Sequence, residues 1–486
     1  MPRKVSLESL RTLRPFDFLT LRPILGLACF FRTKPRLLRV NAWLGEWFAR
    51  QLYFQAGTSE EATKMSSCNP FGSNCPLRLR ISRVALGILL FSTAAWAQWP
   101  QFGGPNRDFT VESGQLATEW PEGGPKELWR REFGDGFSSI LVEGDRLYTM
   151  RRDGDQDVAV CLEARSGQTI WETAYDSPTV KGMILDFGPG PISTPLLSGS
   201  RLFTVSSTVK FHALEKETGK VLWARDLMEE MKASHMGRGY GPSPIGYKDL
   251  VILALGGKDQ AVVAFKQESG QIAWKSQSLP PSYSSPILVR MGGQDVLIIS
   301  MGDHRAGLDP ASGELKWDLD VGKNSGPMMS TQHLGDDLLL FGSNAYSGGS
   351  RAIQLSLTEG GIQAEQLWYH RKMRVMYASF VRIGDYVYGS SGDFGPAFLI
   401  GLNVKSGQIA WRKRGFGRAH FLQADGKVII LDEEGDLAIA SARPEGLTVH
   451  ARANVIDRVT WTPPTLVGTT LYLRNTEIIK ALDLGM

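Results

Sequence analysis

Short apolar stretches and glycine-containing turns alternate along residues 98–486, and they recur at nearly regular spacing. The repeated unit is an apolar strand, a Ser/Thr-Gly turn and a second strand with Trp four residues after the Gly. Glycine supplies the positive φ angle that such a turn needs, so the pattern predicts β-hairpins rather than helices. The intact copies end in Gly167-Gln-Thr-Ile-Trp171, Gly219-Lys-Val-Leu-Trp223, Gly270-Gln-Ile-Ala-Trp274, Gly313-Glu-Leu-Lys-Trp317 and Gly407-Gln-Ile-Ala-Trp411.

The spacing of the repeat gives the number of units. Together with Trp129 and a degenerate copy that ends at Trp368, the tryptophans lie 42 to 52 residues apart. A period of about 40–50 residues with four short strands per unit is typical of β-propeller blades. The first strands of the units begin near Ser138, Ser193, Ser243, Ser285, Thr331, Ser379, His420 and Pro463, which makes eight. The sequence therefore predicts an all-β fold, a single eight-bladed propeller over residues 98–486.

The two ends of this region are complementary. Lys126-Glu-Leu-Trp129 is an outer strand with no blade before it, and Ile478–Asp483 is a third strand with no outer strand after it. Pairing them would complete the eighth blade and remove two exposed sheet edges. The outer strand of the seventh blade is degenerate and is expected at Leu447-Thr-Val-His450.

The repeat resembles the tryptophan-docking motif of the PQQ-like, or quinoprotein-type, propellers, and the resemblance covers nearly all of residues 98–486. Trp99-Pro-Gln-Phe-Gly-Gly-Pro-Asn-Arg-Asp108 is similar to the start of exported bacterial members. The family includes BamB-type outer-membrane assembly proteins and PQQ-dependent alcohol dehydrogenases. The resemblance implies that seven docking tryptophans pack between blades and are structural: Trp129, Trp171, Trp223, Trp274, Trp317, Trp368 and Trp411.

Residues 65–97 are interpreted as a signal-peptide region. Arg78, Arg80 and Arg83 precede an apolar run, and Ala95-Trp96-Ala97 predicts cleavage before Gln98, so the protein is expected to be exported to the periplasm or secreted. The alternative is an uncleaved signal anchor. A signal does not function this far into a chain, so residues 1–64 are interpreted as a mis-called start preceding Met65, or alternatively as a membrane-associating extension.

The charge of the whole chain is dominated by this leader. The net charge is +4, but residues 98–486 contain 40 Lys/Arg and 45 Asp/Glu, a net charge of −5. The positive total is therefore no argument for nucleic-acid binding. Of four cysteines only Cys161 follows residue 97, so no disulfide is expected within the propeller, and no transmembrane segment is expected there either.

Reactive motifs are few. The lone Cys161 cannot form the vicinal cysteine pair of many quinoprotein dehydrogenases, and a haem-binding Cys-x-x-Cys-His motif does not occur. Asp153-Gly-Asp-Gln-Asp157 has the carboxylate spacing of a calcium loop, but Val158 replaces its glycine, so the segment is interpreted as an acidic turn. No catalytic residue and no metal site are predicted.

Binding is expected on the face that carries the long connections 172–193 and 224–242, because loops on a rigid scaffold usually hold binding sites. The second connection predicts a short amphipathic helix that ends near Gly237. Basic residues of two later connections are expected to form a positive arc on the same face. The candidate residues for a ligand or partner are Arg238, Tyr240, His304, Arg305, Arg371, Arg374, Arg412, Arg414, Arg418 and His420.

These observations favour an exported, non-catalytic propeller that binds a protein partner or a small ligand in the bacterial cell envelope. The alternative is a PQQ-dependent dehydrogenase, which the resemblance makes possible and which would use PQQ with calcium. A third hypothesis is carbohydrate or polymer binding by loop aromatics such as Tyr240 and Tyr377. The fold does not decide among them.

Overall fold

The repeats form eight sheets of four antiparallel strands, in a computed structural model that describes residues 99–322, 332–343, 348–392 and 395–486. Each sheet is one blade, and its strands pair in chain order. The first strands of neighbouring blades approach one another, for example β3 (Leu141–Glu143) and β31 (Thr465–Val467), which places them around the central channel. The predicted all-β, eight-bladed propeller is confirmed.

The first four blades each run from the channel outward in chain order. Blade 1 is β3 with β4 to β6 (Arg146–Asp153, Gln156–Glu163, Thr169–Asp176); blade 2 is β7 to β10 (Leu196–Ser198, Arg201–Val205, Lys210–Glu215, Val221–Asp226); blade 3 is β11 to β14 (Ile245–Tyr247, Leu250–Ala254, Val262–Lys266, Ile272–Ser276); blade 4 is β15 to β18 (Ile287–Met291, Gln294–Met301, His304–Leu308, Leu315–Asp320).

The remaining blades follow the same order, with two additions from the N-terminal part. Blade 5 is β19 to β22 (Gln332–Leu334, Leu339–Ser343, Ser350–Thr358, Gly361–His370); blade 6 is β23 to β26 (Phe380–Ile383, Tyr386–Ser391, Phe398–Asn403, Ile409–Lys413); blade 7 is β27 to β30 (Ala419–Ala424, Lys427–Asp432, Asp436–Arg443, Gly446–Asn454) with β1 (Thr110–Val111); blade 8 is β31 to β33 (β32 Thr470–Arg474, β33 Ile478–Asp483) with β2 (Lys126–Glu132).

The ring closes as the sequence predicts. Strand β2 pairs antiparallel with β33, with Trp129 opposite Ala481. Blade 8 is thus built from both ends of the propeller region, and the interior strand β33 has a partner on each side. Closure leaves no interior strand edge exposed at this junction.

The apolar core lies in layers between adjacent blades rather than at the centre of the ring. Blades 2 and 3 share one buried cluster around Phe211 and Phe265, and blades 4 and 5 share another around Ile298 and Ile353. Second and third strands are almost wholly buried because blades cover both of their faces, as in β13. Outer strands alternate buried and exposed positions, as in β6.

The docking tryptophans connect neighbouring blades through a recurring contact. The Trp171 indole N–H donates to the Lys216 carbonyl in the next blade at 3.0 Å, and its ring lies against Gly219, where φ is +74°. The same donation to the following blade is made by Trp129, Trp223, Trp368 and Trp411. The indole N–H groups of Trp274 and Trp317 have no acceptor among the described residues. Trp317 faces blade 5, whose repeat is the degenerate copy.

Antiparallel order places two kinds of connection on one face of the propeller. These are the connections between a fourth strand and the next first strand, and the turns between second and third strands. We call this the upper face. Its single described α-helix, α1, spans Leu227–Met231 and follows β10. Among the described residues, no helix has the length and apolarity to cross a bilayer.

The predicted end of this helix was wrong. Helix α1 is capped by Lys232 in the left-handed region, with φ at 55°, five positions before Gly237. The Asp226 carboxylate caps the other end by accepting the Glu229 N–H. Leu227 and Met231 are buried, as expected for an amphipathic turn. The helix stops early because burial of these two residues needs only one turn, after which the chain passes to the channel.

Candidate functional site

A cavity of about 150 Å³ lies at the channel mouth on the upper face. It is formed by connections from six blade junctions, by His420 and Ile287 at the starts of two first strands, and by two residues of the N-terminal segment. Most of its surface is apolar. Its lining residues are Phe102, Arg107, Phe137, Ile184, Phe187, Gly188, Ile192, Arg238, Gly241, Ser243, Tyr283, Ser285, Pro286, Ile287, Tyr377, Ala378, His420, Trp461 and Pro463.

The floor of the cavity is supplied by residues 99–111, which cross the channel. Trp99 forms backbone hydrogen bonds to Val142 of blade 1, and β1 pairs with β27 of blade 7. Arg107 is buried and donates to the carbonyls of Pro286 and Pro244 at 3.2 and 3.0 Å, and to the Gln101 side chain. Burial lowers the pKa of Arg107 to about 9. The channel is thus closed beneath the cavity by a segment tied to several blades.

One wall is a cluster of four aromatic side chains, which we call the aromatic cluster: Phe137, Phe187, Tyr377 and Trp461. Tyr377 and Trp461 stack with ring centroids 4.6 Å apart, and Phe187 meets Trp461 edge to face at 4.7 Å. Tyr377 adopts a φ of +50°, a costly conformation for a bulky residue and one that tends to occur at binding sites. The cluster gives the cavity a rigid, apolar side.

Two arginines cover the aromatic cluster, and both are held by carboxylates. The Arg418 guanidinium lies 5.3 Å from the centre of the Trp461 ring and forms a close ion pair with Glu433, at 2.6 Å. Glu433 also accepts the Trp461 indole N–H at 3.0 Å. Burial alone would raise the pKa of Glu433, but hydrogen bonds from Arg418 and Trp461 lower it below its usual value. This network fixes the orientation of Trp461.

Arg238 makes comparable contacts with Phe187 of the aromatic cluster and with Asp186. Its guanidinium lies 4.4 Å from the Phe187 ring centre and 3.6 Å from the Asp186 carboxylate, and its backbone N–H donates to the Tyr283 hydroxyl. Cation–π contacts of this kind are worth about 0.5–1 kcal/mol at exposed sites. The loop 172–193 is thereby attached to the next connection.

His420 lines the cavity and is itself almost wholly buried. Its Nδ1 accepts the Ser379 backbone N–H at 3.0 Å, while Nε2 is buried and has no hydrogen-bond partner among the described residues. Burial lowers the pKa of His420 to about 4, and the Trp461 carbonyl opposes this shift. The ring is therefore neutral at pH 7, and because Nδ1 accepts, Nε2 carries the proton.

The residues present do not fit a calcium-bound quinone. Calcium takes six to eight oxygen ligands, commonly from carboxylates. The cavity lining includes no Asp or Glu, and the carboxylates that contact its arginines and Trp461, Glu433 and Asp186, are paired with Arg418 and Arg238. Across the described ranges, no three His, Cys, Asp or Glu side chains converge as a metal site would need. Pockets for drug-sized ligands measure about 300–1,000 Å³, which exceeds this cavity.

Three of the predicted residues meet at the channel mouth. Arg238 and His420 line the cavity, and Arg418 stacks on its aromatic cluster. Tyr240 lies elsewhere: it is 1% exposed, and its hydroxyl donates to the Ala254 carbonyl in the core between blades 2 and 3. Its ring packs in this core and is not exposed to solvent, so Tyr240 cannot stack on a carbohydrate as the third hypothesis requires.

The other predicted residues lie outside the cavity. His304 is the first residue of β17 in blade 4, where its Nδ1 contacts Asp318 at 2.9 Å, and Arg305 follows it in the strand and is buried. Arg371, Arg412 and Arg414 are exposed on the upper face, and Arg374 is half-buried there. The pKa of His370 is lowered by partial burial and by the charges of Lys372 and Arg412, so the two basic connections do approach each other.

Sequence reasoning missed the residues that build the cavity. Trp461 lacks the Gly-x-x-x-Trp spacing of the repeat, and that departure was a usable signal that it does not dock between blades. Arg107 lies in the segment similar to the family's start, but nothing local indicates that it fills the channel. Arg418 directly precedes β27, and its partner Glu433 lies 15 positions later in the turn between β28 and β29. No local sequence pattern reveals this pairing.

Comparison with known proteins agrees with this architecture. Residues 154–413 match the family model described as outer membrane protein assembly factor BamB. A relative from Yersinia pestis with that name is 23% identical over 300 residues, which cover 58% of this chain and 71% of the relative.

Solved structures with the same fold come from two functional groups. BamB from Moraxella catarrhalis superposes with a TM-score of 0.54 and 16% identity, over 74% of this chain and 99% of that one. Quinohemoprotein alcohol dehydrogenase from Comamonas testosteroni gives a TM-score of 0.59 and 12% identity, over 82% of each chain. At such identities the likeness establishes the fold alone.

Proposed function

The chain belongs to the family of the outer membrane protein assembly factor BamB, and we propose that it is an exported, non-catalytic scaffold that binds a protein partner in the bacterial cell envelope. The channel mouth is the docking point in this proposal. A single apolar side chain of the partner enters the cavity, and the basic residues exposed near the ends of blades 5 and 6 contact acidic residues of the partner.

The size and lining of the cavity carry the proposal. An apolar cavity of about 150 Å³ holds a molecule of benzene size, and the cavity at the channel mouth has that volume, about 150 Å³. Partner proteins commonly anchor through an aromatic or aliphatic side chain in such a pocket. The aromatic cluster is held by Arg238 and Arg418 before any partner arrives, which lowers the entropic cost of binding.

The charge of the surrounding face indicates the character of the partner segment. Arg371 and Lys372 follow β22, Arg412 lies near the end of β26 and Arg414 directly after it, and all four side chains are exposed. Complementary charge raises association rates and excludes basic partners. The partner segment is therefore acidic around its apolar anchor, and its binding weakens with rising salt.

Export is part of the proposal and rests on residues 65–97, which lie outside the described residues. The basic residues, apolar run and Ala-x-Ala pattern support cleavage after Ala97. Mass spectrometry of the chain recovered from a periplasmic or culture fraction is expected to give Gln98 as the first residue. Recovery only from the cytoplasm with residues 1–64 attached would contradict export.

Binding of small probe molecules distinguishes the scaffold hypothesis from the dehydrogenase hypothesis. We expect p-cresol, a mimic of a tyrosine side chain, to bind the purified chain in calorimetry, and PQQ with calcium not to bind. Because the pKa of His420 is about 4, its ring stays neutral and the affinity for p-cresol should stay constant between about pH 5.5 and 8. Stoichiometric binding of PQQ that requires calcium would reverse the assignment in favour of the dehydrogenase.

A further inference from the structure

The cavity at the channel mouth has a buried positive charge beside its floor. Arg107 lines the cavity and is 7% exposed. Its Nη1 donates to the Pro286 carbonyl at 3.2 Å, and Pro286 is itself a lining residue. The guanidinium end of Arg107, and not only its aliphatic stem, therefore lies at the wall of the cavity.

The hydrogen-bond partners of Arg107 are all neutral. They are the side-chain oxygen of Gln101 and the backbone carbonyls of Pro244 and Pro286. Burial lowers the pKa of Arg107 to about 9, and no carboxylate of the described residues acts against this shift. The guanidinium remains protonated at pH 7, so a full positive charge persists there without a counter-charge from the chain.

This lack of a counter-charge distinguishes Arg107 from the other buried arginines whose pKa is lowered. In each of those a carboxylate opposes the effect of burial: Asp303 acts on Arg305 and Arg351, and Asp135 acts on Arg474. Buried charge is normally paired because removing an isolated ion from water is costly. Of these four arginines, Arg107 alone lines the cavity, so the unbalanced charge and the available space coincide at the channel mouth.

The other two arginines at the cavity do not supply the missing negative charge. Arg418 is paired with Glu433, and Arg238 is paired with Asp186. The lining residues include no Asp or Glu. Three guanidinium groups and two carboxylates therefore leave one positive charge unbalanced, and it is the charge of Arg107.

We propose that the cavity binds one small monocarboxylic acid with an aromatic or branched aliphatic body, whose carboxylate lies toward Arg107. Most of the cavity surface is apolar, and its volume of about 150 Å³ suits a single ring. Attraction between opposite charges is several times stronger beside a protein wall than in bulk water. Such an acid needs no metal ligand, unlike the calcium-bound quinone that the lining does not fit.

A free acid fits this placement better than the end of a polypeptide. Arg107 belongs to the segment that closes the channel beneath the cavity, so the carboxylate enters first. A C-terminal residue that inserts its side chain would keep its carboxylate at the mouth. The acid would occupy the space of the partner's anchor residue and so compete with docking. That regulatory role rests on the proposed function, whereas binding of the acid does not.

Calorimetry with three probes of nearly the same shape tests the preference for negative charge. At pH 7 benzoate is an anion, benzamide is neutral and benzamidinium is a cation. We expect one benzoate per chain, bound at least about tenfold more tightly than benzamide, and no binding of benzamidinium. Equal affinities for benzoate and benzamide, or a preference for the cation, would overturn the proposal.

A fourth probe distinguishes a free acid from a C-terminal residue. N-acetylphenylalaninate carries its carboxylate on a peptide main chain, and we expect it to bind more weakly than benzoate. Tighter binding of N-acetylphenylalaninate would overturn the free acid in favour of the last residue of a polypeptide.

Variants assign the preference to Arg107. Arg107→Met removes the charge and retains much of the side-chain length, so it should weaken benzoate binding at least about tenfold and change benzamide binding little. Arg130→Met is the matched control, because Arg130 is exposed on the outer strand β2 and does not line the cavity. An unchanged preference for benzoate in folded Arg107→Met would overturn the role of Arg107.

Salt dependence replaces this variant if Arg107→Met does not fold. A buried charge is screened little by salt, so benzoate affinity for the wild-type chain should fall less than about threefold between about 0.05 and 0.3 M salt. A steeper fall would place benzoate on the exposed basic residues of the upper face and overturn binding in the cavity.

Titration with p-cresol separates this inference from the proposed function. If p-cresol binds and the three charged and neutral probes show no preference, the docking cavity stands and the acid site fails. If benzoate binds as expected and p-cresol does not, the acid site stands and the proposed anchor fails. Where both bind, benzoate should displace p-cresol competitively, and simultaneous binding of the two would overturn the shared cavity.

Discussion

Gly219→Ala is expected to destabilise the propeller by about 2–5 kcal/mol, from two separate costs. Gly219 has a φ of +74°, and a left-handed conformation costs an alanine about 1–2 kcal/mol. A Cβ atom there would also press into the Trp171 ring and approach the Thr173 hydroxyl, and such overpacking costs about 1–3 kcal/mol. Urea denaturation followed by tryptophan fluorescence measures the change.

Gly199→Ala in the same blade separates the two costs. Gly199 has a φ of +58°, but a Cβ atom there meets nothing within 4 Å. We expect this control to cost only the conformational part, about 1–2 kcal/mol. The difference between the two variants measures how tightly the docking tryptophan fits its glycine. Equal destabilisation would mean that the indole contact contributes little to blade packing.

The number and order of blades could be predicted because the signal is local and repeated. Each Gly-x-x-x-Trp unit encodes its own turn and outer strand, so several intact copies located blades even where one copy, ending at Trp368, is degenerate. Ring closure followed from the unmatched strands at the two ends, Lys126–Glu132 and Ile478–Asp483. Both predictions depended on short-range pattern and on the rule that interior strands need partners.

The candidate site was less predictable because it is made of contacts between distant connections. The expected end of helix α1 at Gly237 followed the preference of glycine for left-handed caps. Lys232 takes that conformation instead, since tertiary packing of Leu227 and Met231 fixes the length of the helix. Propensity is a weak indicator when burial opposes it.

Arginine positions show the same limit. Arg418 was expected to contribute positive charge to the arc, but Glu433 neutralises it and the pair supports Trp461. Arg305 was expected at the loop-rich face, and it lies between two blades with unused donors. The spacing of the repeats indicated the face of the propeller near which these arginines lie. Whether the charge of each arginine is neutralised depends on contacts with side chains distant in sequence, which the spacing does not reveal.

Ala378→Leu is expected to abolish partner binding at the channel mouth. Ala378 lines the cavity and is 7% exposed, and three additional carbon atoms there would occupy much of a space of about 150 Å³. Excluding the anchor side chain of a hot-spot contact weakens the free energy of binding by at least about 2 kcal/mol, which is roughly thirtyfold in affinity. Ala224→Leu is the matched control, because Ala224 is exposed on the outer strand β10.

Selection of peptides from a random displayed library against the wild-type propeller, followed by calorimetry of the selected peptides, tests the docking role of the channel mouth most directly. We expect peptides with one essential aromatic or aliphatic residue among acidic ones. Their binding should weaken with salt, persist in Ala224→Leu and be lost in Ala378→Leu. Peptides that bind Ala378→Leu as tightly as the wild type would contradict the channel mouth as the docking point.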